Sequence, residues 1–394
     1  MNKLGDFYTD FSRIDLDTRG GYARVAQVKT KGQLDIPKEC AFKLMRHEID
    51  YQKGVERFED ELRVLSEITN DSDSPSAITR IYDSGFVPIE LSQSLHERKM
   101  PDPGLEFVST GTDSQKFLEM KSTLWEEPGR WIPFLVVELA PYDDSLLRQV
   151  RQQPTEDPSG LYRLPTGEVL GMSIQLLDVM KYLHSTKHRA YMDWKPEHIF
   201  WNGLNRQVKL IDWNVTTSLD DGPGERQNIR DDIRLFCGAV MYIGLTFVDP
   251  DDPAMPIGPR PTTKIISPVS EVRRRYWTDN PDFYQRGSML DDKIKQLICR
   301  GLNPDQGFDS PEELKLLLTQ YASEELGLID TDHPVSATPK SLYFQALLDI
   351  RQAQKSLLDA QERLIEVTEL HGESLEFTRL SKVIKRALTN FPIS

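Results

Sequence analysis

The sequence predicts an α+β fold of two lobes, in which a small lobe rich in β-strands precedes a larger, mainly helical lobe. In the first 86 residues, short apolar runs bounded by turn residues follow the order strand, strand, strand, helix, strand. Beyond about residue 140, apolar residues recur at helical spacing. With 394 residues, the chain is long enough for both lobes and a C-terminal appendage.

The first lobe is predicted to span residues 1–139. Strands are predicted at residues 12–16, 24–29, 40–45, 78–86 and 131–139. One amphipathic helix is predicted between the third and fourth of these strands, at residues 55–68. Residues 88–130 are polar and rich in Pro, Ser and charge, which predicts a long surface insertion rather than a core element.

The second lobe is predicted to span residues 140–328. Its main predicted helices lie at residues 145–153, 168–186 and 233–247, and its two short strands lie at residues 198–201 and 208–211. A linker rich in Asp, Pro, Ser and Thr follows at residues 329–340. The lobe therefore ends before a separate C-terminal segment begins.

The C-terminal segment, residues 341–394, is predicted to form two amphipathic helices. An apolar seam at seven-residue spacing runs along the first helix: Tyr343, Ile350, Leu357 and Leu364. The helices could fold back on each other, pack on the second lobe or form a dimer. In each case the seam predicts an interaction module, through which a protein substrate or partner protein could bind.

Composition argues against several classes of partner. A net charge of −14 and a pI near 5.1 argue against general affinity for nucleic acid or anionic membranes, because Lys and Arg supply most phosphate contacts. No apolar run approaches the roughly 20 residues that a bilayer requires, and the first ten residues lack a secretion signal, so a cytoplasmic location is expected. Three cysteines without metal-like spacing predict buried thiols.

Two stretches of the first lobe carry residues suited to phosphate chemistry. Residues 18–25 form a predicted hairpin with adjacent glycines, Gly20 and Gly21, whose small size lets backbone amides approach a phosphate. Lys43 lies in an apolar strand, where an unpaired ammonium is costly, so it needs an acidic partner or a ligand. Glu61 on the following helix is the predicted partner. Glu59 and Asp60 are alternatives if the helix register differs by one or two residues.

Two stretches of the second lobe carry carboxylates, one in a predicted loop and one at the end of a predicted strand. In residues 191–201, Asp193 and Lys195 can converge in one loop, where a carboxylate orients an attacking hydroxyl and an amine steadies developing charge. Asp212 ends the strand at residues 208–211, a position where a carboxylate can ligate a cation.

In this order and spacing, these stretches resemble the protein kinase family across roughly residues 12–325. The resemblance implies a bilobal protein-kinase-like fold that binds ATP and Mg²⁺, with Mn²⁺ as an alternative cation. It implies that Lys43 holds the α and β phosphates, that Asp193 is the catalytic base assisted by Lys195, and that Asp212 binds the metal. The resemblance assigns the remaining contacts with ATP to Gly20, Gly21, Val25, Ala41, Glu61, Glu138, Ala140 and Phe200. It also implies that Asp232 holds the catalytic loop through its backbone.

Departures from the family pattern concern the metal, regulation and the substrate platform. His198 stands where the family has an asparagine that binds the second metal; it could ligate, favour Mn²⁺, or only hydrogen-bond Asp193. Met192 replaces an arginine that grips a phosphorylated loop, which argues against that form of regulation. Residues 213–230 contain no Ala-Pro-Glu-like element that would dock a peptide.

Three functions follow from this pattern. The first is a phosphotransferase acting on Ser or Thr hydroxyls, since the base, the phosphate lysines and one metal ligand are present. The second is a nucleotide-binding pseudokinase that serves as a scaffold or switch. The third is a small-molecule kinase of the aminoglycoside or choline type, although Lys195, two residues beyond Asp193, favours the protein-directed branch.

Overall fold

The computed structural model describes residues 2–13, 21–31, 36–124, 130–141, 144–151, 164, 166–203, 205–219, 224–245, 292–303, 306–326 and 364–365. The chain divides into two compact units, of which the first comprises Met1–Trp201 and Gln207–Leu318 and the second Asn202–Arg206 and Thr319–Ser394. The predicted linker at 329–340 and, apart from residues 364–365, the predicted C-terminal helices lie outside the described residues.

The first unit contains a curled, antiparallel seven-stranded sheet among its described residues. Its strands are β1 (Asn2–Lys3), β2 (Tyr8–Arg13), β3 (Ala23–Thr30), β4 (Glu39–Met45), β5 (Ile81–Pro88), β6 (Glu106–Ser109) and β7 (Trp131–Glu138). Their spatial order is β1-β6-β5-β7-β4-β3-β2. The strands predicted at 24–29, 40–45 and 131–139 are confirmed, whereas the one predicted at 12–16 begins earlier, at Tyr8.

The two faces of this sheet differ in chemistry, because successive side chains of a strand point to opposite faces. One face carries an aromatic cluster, in which Phe42 stacks on Phe134 with 4.8 Å between ring centroids and Tyr8 packs edge-on against both rings. On the opposite face, β4 places Lys43 between Val25 of β3 and Leu135 of β7. Lys43 therefore lies between two apolar side chains on this face.

Helix α1 (Tyr51–Thr69) carries buried apolar residues at the three- and four-residue spacing of a helix face, among them Val55, Phe58 and Leu62. Asp50 caps its start by accepting a hydrogen bond from the Lys53 backbone N–H at 2.9 Å. The helix predicted at 55–68 is confirmed and begins four residues earlier. Its buried face includes Glu61, which is 2% exposed.

The segment predicted as a surface insertion contributes to the sheet and its core. It forms α2 (Ile89–His96), β6 and α3 (Ser114–Leu124). Strand β6 pairs with β5 and approaches it so closely that a Cβ at Gly85 would lie 1.9 Å from the Val108 carbonyl oxygen. Phe107 and Phe117 are fully buried. The prediction of a surface insertion is therefore corrected for residues 89–124. The few apolar side chains of this segment are separated by many polar residues, so its composition did not indicate a part of the core.

The second half of the chain is mainly helical and contains two small two-stranded sheets, β9–β10 and β8–β11. Its described elements are α4 (Leu146–Arg151), α5 (Thr166–Thr186), β8 (Arg189–Ala190), β9 (Ile199–Asn202), β10 (Gln207–Leu210), β11 (Thr217–Ser218), α6 (Glu225–Phe236), a π-helical segment (Cys237–Tyr242), α7 (Ile243–Leu245), α8 (Asp292–Leu302) and α9 (Pro311–Leu326).

These elements confirm the predicted mixture of helices and strands. The helix predicted at 168–186 and the strands predicted at 198–201 and 208–211 are present, within one or two residues at each end. The helix predicted at 233–247 begins earlier, at Glu225, and its last two residues lie outside the described part of the chain. Among the described residues, no helix has both the length and the apolar composition needed to cross a bilayer.

Candidate functional site

Lys43 lies at the centre of a buried ion cluster. Its Nζ donates to both carboxylate oxygens of Glu61, at 2.9 and 2.7 Å, and to Asp212 Oδ1 at 2.8 Å. The alternative partners are engaged elsewhere, since Glu59 pairs with Lys121 and Asp60 with Arg63. Glu61 is therefore the partner of Lys43, and the structure brings Asp212 to the same amine from 169 residues away.

The charges of this cluster shift one another's pKa values. The pKa of Glu61 is raised by burial, against the effect of Lys43, and Asp212 adds to the rise. Burial alone would lower the pKa of Lys43, but the carboxylates of Asp212 and Glu61 raise it above its usual range. Burial would raise the pKa of Asp212, but Lys43 and then His198 lower it well below its usual range. Asp212 therefore stays ionised in the folded protein, which is the state in which a carboxylate binds a cation.

Backbone geometry aims Asp212 at the cluster. The residue follows β10 and has a φ of 64°, in the left-handed region that only a few non-glycine residues adopt. The side chain of Asn214 donates from Nδ2 to Asp212 Oδ1 at 2.5 Å, so this oxygen is bound by both Asn214 and Lys43. The other oxygen, Oδ2, faces His198.

Asp193 and Lys195 meet in the loop that follows β8, as predicted. Lys195 Nζ lies 2.6 Å from Asp193 Oδ1. The carboxylate of Asp193 is almost fully buried, at 4% exposure, whereas a quarter of the Lys195 side chain is exposed. The pair therefore places a buried acidic group inside the site and a partly exposed amine at its edge.

His198 joins the two aspartates. Its Nδ1 lies 3.1 Å from the Asp193 carbonyl oxygen and 3.4 Å from Asp193 Oδ2, while its Nε2 lies 3.4 Å from Asp212 Oδ2. One ligand atom from each of the three side chains lies within 4.8 Å of the other two. Two carboxylate oxygens and one imidazole nitrogen are a donor set that suits a divalent cation. Among the described residues, this is the group of side chains that could hold one.

Asp232 holds the loop that carries Asp193, which confirms the contact predicted from the sequence. Its Oδ1 accepts from the Met192 backbone N–H at 2.8 Å and from Trp194 Nε1 at 2.7 Å, and its Oδ2 accepts from the Tyr191 backbone N–H at 3.1 Å. His184 of α5 adds an Nε2 contact at 2.8 Å. These bonds hold Met192 at a φ of 64°, a backbone conformation that is strained for a methionine.

Two aromatic residues connect this loop to the turn after Asp212. Tyr191 donates its hydroxyl to the Ile211 carbonyl oxygen at 2.5 Å, and its ring lies edge-on to Trp213, 5.0 Å between centroids. Trp213 is fully buried, and its Nε1 donates to Thr79 Oγ1 and the Leu210 carbonyl oxygen, both at 3.3 Å. The two carboxylate-bearing segments are thus packed as one layer.

Some contacts in and around the site had no visible signal in the sequence. Arg57 of α1 donates to the Asn214 carbonyl oxygen at 2.8 Å, and its guanidinium lies 5.5 Å from the centre of the Tyr22 ring. His184 and Thr79 were also missed. Each of these residues lies far along the chain from its partner. The periodicity of the sequence can indicate a helix or a strand, but it does not indicate which distant residues that element contacts.

The other residues predicted to contact ATP differ in their position and in their exposure. Val25 and Ala41 share the face of the sheet that carries Lys43. Gly21 is exposed, and Gly20 lies outside the described residues. Ala140 and Phe200 are buried, at 8% and 7% exposure.

Glu138 ends β7, and its carboxylate binds Lys209 at 2.7 Å rather than a residue of the Lys43 cluster.

A scan against models of known protein families finds no match to this chain, and no curated protein sequence matches it significantly. The geometry of the site therefore carries the functional argument. The features to explain are a paired lysine, two carboxylates and a histidine in contact, and an apolar sheet face beside them.

Proposed function

We propose that this chain has a bilobal protein-kinase-like fold and is an ATP-dependent phosphotransferase that transfers the γ-phosphoryl group of ATP to a Ser or Thr hydroxyl. The observation that carries the proposal is the meeting of Lys43, Asp193 and Asp212, three charged residues from distant parts of the chain, through direct contacts and through His198. An amine and two carboxylates in one place are what binding and transfer of a phosphoryl group require.

The protein groups have distinct roles in this proposal. Lys43, held by two carboxylates, presents a fixed positive charge to the nucleotide phosphates. Asp193 orients the attacking hydroxyl and accepts its proton. Lys195 is bound to Asp193 and partly exposed, so it can turn toward the transferred group and stabilise its charge. The apolar face formed by Val25 and Ala41 supports a nucleotide base.

A divalent cation fits the donor set formed by Asp212, His198 and Asp193. Asp212 is suited to this role because Lys43 and Asn214 occupy one of its oxygens and leave the other directed toward His198. When bound, such a cation supplies positive charge that offsets the charge of the phosphates. Mg²⁺ and Mn²⁺ are both compatible with the two carboxylates.

A transfer assay with labelled ATP tests the proposal. The wild-type chain is incubated with Mg²⁺ or Mn²⁺, with generic protein substrates, and compared with Asp193→Ala. We expect Asp193→Ala to lower transfer by about 10²–10⁴-fold, the contribution of a positioned base. The matched control is Glu197→Ala, which removes an exposed carboxylate from the same loop and should leave transfer unchanged. Equal transfer by wild type and Asp193→Ala would contradict the proposal.

A second candidate is a nucleotide-binding pseudokinase without transfer activity. It is favoured by the occupancy of Asp193, because Lys195 binds one of its carboxylate oxygens at 2.6 Å and His198 faces the other. A base whose oxygens are both engaged must first release a partner before it can bind a hydroxyl. This candidate predicts that nucleotide raises the thermal unfolding temperature while no labelled phosphate is transferred under any of the conditions above.

A further inference from the structure

The orientation of His198 fixes which of its ring nitrogens can bind a cation. Nδ1 lies 3.1 Å from the Asp193 carbonyl oxygen, and a carbonyl oxygen can only accept a hydrogen bond. Nδ1 is therefore the nitrogen that carries the proton. In the neutral ring, Nε2 then keeps a lone pair. A histidine that ligates a metal through one nitrogen commonly donates its other N–H to a backbone carbonyl or carboxylate in this way.

The Nε2 side of the ring faces Asp212, whose Oδ2 lies 3.4 Å from Nε2. This separation exceeds the roughly 2.7–3.2 Å of a good N–H···O hydrogen bond. Nε2 and Oδ2 therefore lie side by side as two potential ligand atoms without a short hydrogen bond between them.

The observed separation suits two ligands of one ion. Ligand atoms about 2.2 Å from a common cation, at adjacent positions of an octahedron, lie about 3.1 Å apart. The 3.4 Å between Nε2 and Oδ2 is a few tenths of an ångström longer, a difference that a small side-chain rotation covers. A carboxylate oxygen of Asp193 lies within 4.8 Å of a ligand atom of each of the other two side chains.

From these contacts we infer that His198 is a direct nitrogen ligand that makes this site prefer a first-row transition ion, such as Mn²⁺, to Mg²⁺. The inference rests on the cation site of the proposed function and specifies the chemistry of that site. Mg²⁺ takes oxygen ligands almost without exception and gives up its water reluctantly, whereas the transition ions accept imidazole. The residue that determines cation specificity is therefore His198, with Asp212 as its partner.

The test uses the full-length chain with Mn²⁺ as a spectroscopic probe, alone and with a non-hydrolysable ATP analogue. Pulsed electron paramagnetic resonance detects a directly coordinated ¹⁴N nucleus, and titration of free Mn²⁺ in competition with Mg²⁺ gives the preference. We expect ¹⁴N coupling in the wild type and at least a tenfold preference for Mn²⁺. In His198→Asn, which offers an amide oxygen instead, we expect the coupling to vanish and the preference to fall at least fivefold.

The matched control is His188→Asn, which changes an exposed histidine whose φ of 48° asparagine tolerates well. It should retain both the ¹⁴N coupling and the preference. Absence of ¹⁴N coupling in the wild type, or coupling that persists in His198→Asn, would overturn the inference. If His198→Asn does not fold, labelling the wild-type histidines with ¹⁵N decides the question, because a coordinated imidazole changes its coupling pattern.

The outcomes also separate this inference from the proposed function. Phosphoryl transfer with Mg²⁺ and no nitrogen coupling would keep the proposed function and overturn the role of His198. Nitrogen coupling without transfer to any substrate would keep the role of His198 and argue against the phosphotransferase.

Discussion

Asp232 and Asp212 are both carboxylates next to the same loop, but different groups compensate their negative charges. Asp232 is fully buried, and both of its oxygens are taken by hydrogen-bond donors from Tyr191, Met192, Trp194 and His184. Asp212 keeps 24% of its side chain exposed, and its Oδ2 faces a histidine nitrogen at 3.4 Å without a short hydrogen bond. Both oxygens of the first carboxylate are bound within the fold, whereas the second carboxylate has one oxygen without a short hydrogen bond.

This difference separates a carboxylate that stabilises the fold from a carboxylate that is suited to binding a ligand. A carboxylate surrounded by N–H groups is stable without any other charge, and it fixes the backbone that donates to it. A carboxylate balanced by one lysine depends on that lysine and can exchange partners when a cation or phosphate arrives. Three substitutions test the contrast, and they are given from the largest expected effect to the smallest.

Asp232→Ala should cause the largest loss of stability. It leaves four donors in the interior without an acceptor, and each costs about 1–3 kcal/mol, so the free energy of unfolding should fall by at least about 4 kcal/mol. Chemical denaturation measures the change. Asp178→Ala is the control, because Asp178 forms an exposed pair with Lys315 that is worth about 0–1 kcal/mol. Similar losses in the two variants would remove the distinction between Asp232 and an ordinary surface acid.

Lys43→Met should cost about 3 kcal/mol at neutral pH, because it leaves the carboxylates of Glu61 and Asp212 buried without a cation. The pH dependence should also reverse. In the wild type the pKa of Asp212 lies below its unfolded value of 3.8, so its contribution is present above pH 3.8 and lost at lower pH; the pKa of Glu61 is raised by burial, so its contribution has the opposite sign. In the variant burial raises the pKa of both acids, so stability should fall as the pH rises from about 4 to 8.

Unfolding free energies of Lys43→Met at several pH values check this reversal. Lys53→Met, at an exposed position of α1, should keep the wild-type slope. A constant difference between Lys43→Met and wild type across this pH interval would show that the amine does not hold Asp212 ionised.

Glu48→Gln should have the smallest effect. Glu48 accepts hydrogen bonds from Arg24, which lower its pKa from 4.5 to about 2. Its contribution, about 1–2 kcal/mol for a partly exposed pair with a buried arginine, is present above pH 4.5 and lost as the pH falls toward 2. The difference in unfolding free energy between wild type and variant should therefore shrink between pH 5 and pH 3. Glu56→Gln, an exposed acid on α1, should show no such trend.

Much of the local structure was predictable because it depends on residues close together in the chain. The apolar run around Lys43 and the helical spacing of Val55, Phe58 and Leu62 identify β4 and α1 without knowledge of the rest. The segment at residues 89–124 was not recognised as part of the sheet core. Its strand has only four residues, and Phe107 and Phe117 are separated by polar residues, so no periodic pattern identified it.

The sequence by itself determined that a lysine would lie in an apolar strand, and that the second half of the chain would carry one carboxylate in a loop and one at the end of a strand. Only the tertiary structure decided that Glu61, rather than Glu59 or Asp60, binds Lys43. One residue turns a helix by about 100°, and only packing against the sheet fixes that rotation. The orientation of His198 was decided in the same way, since its two nitrogens acquire different roles only from the groups that face them.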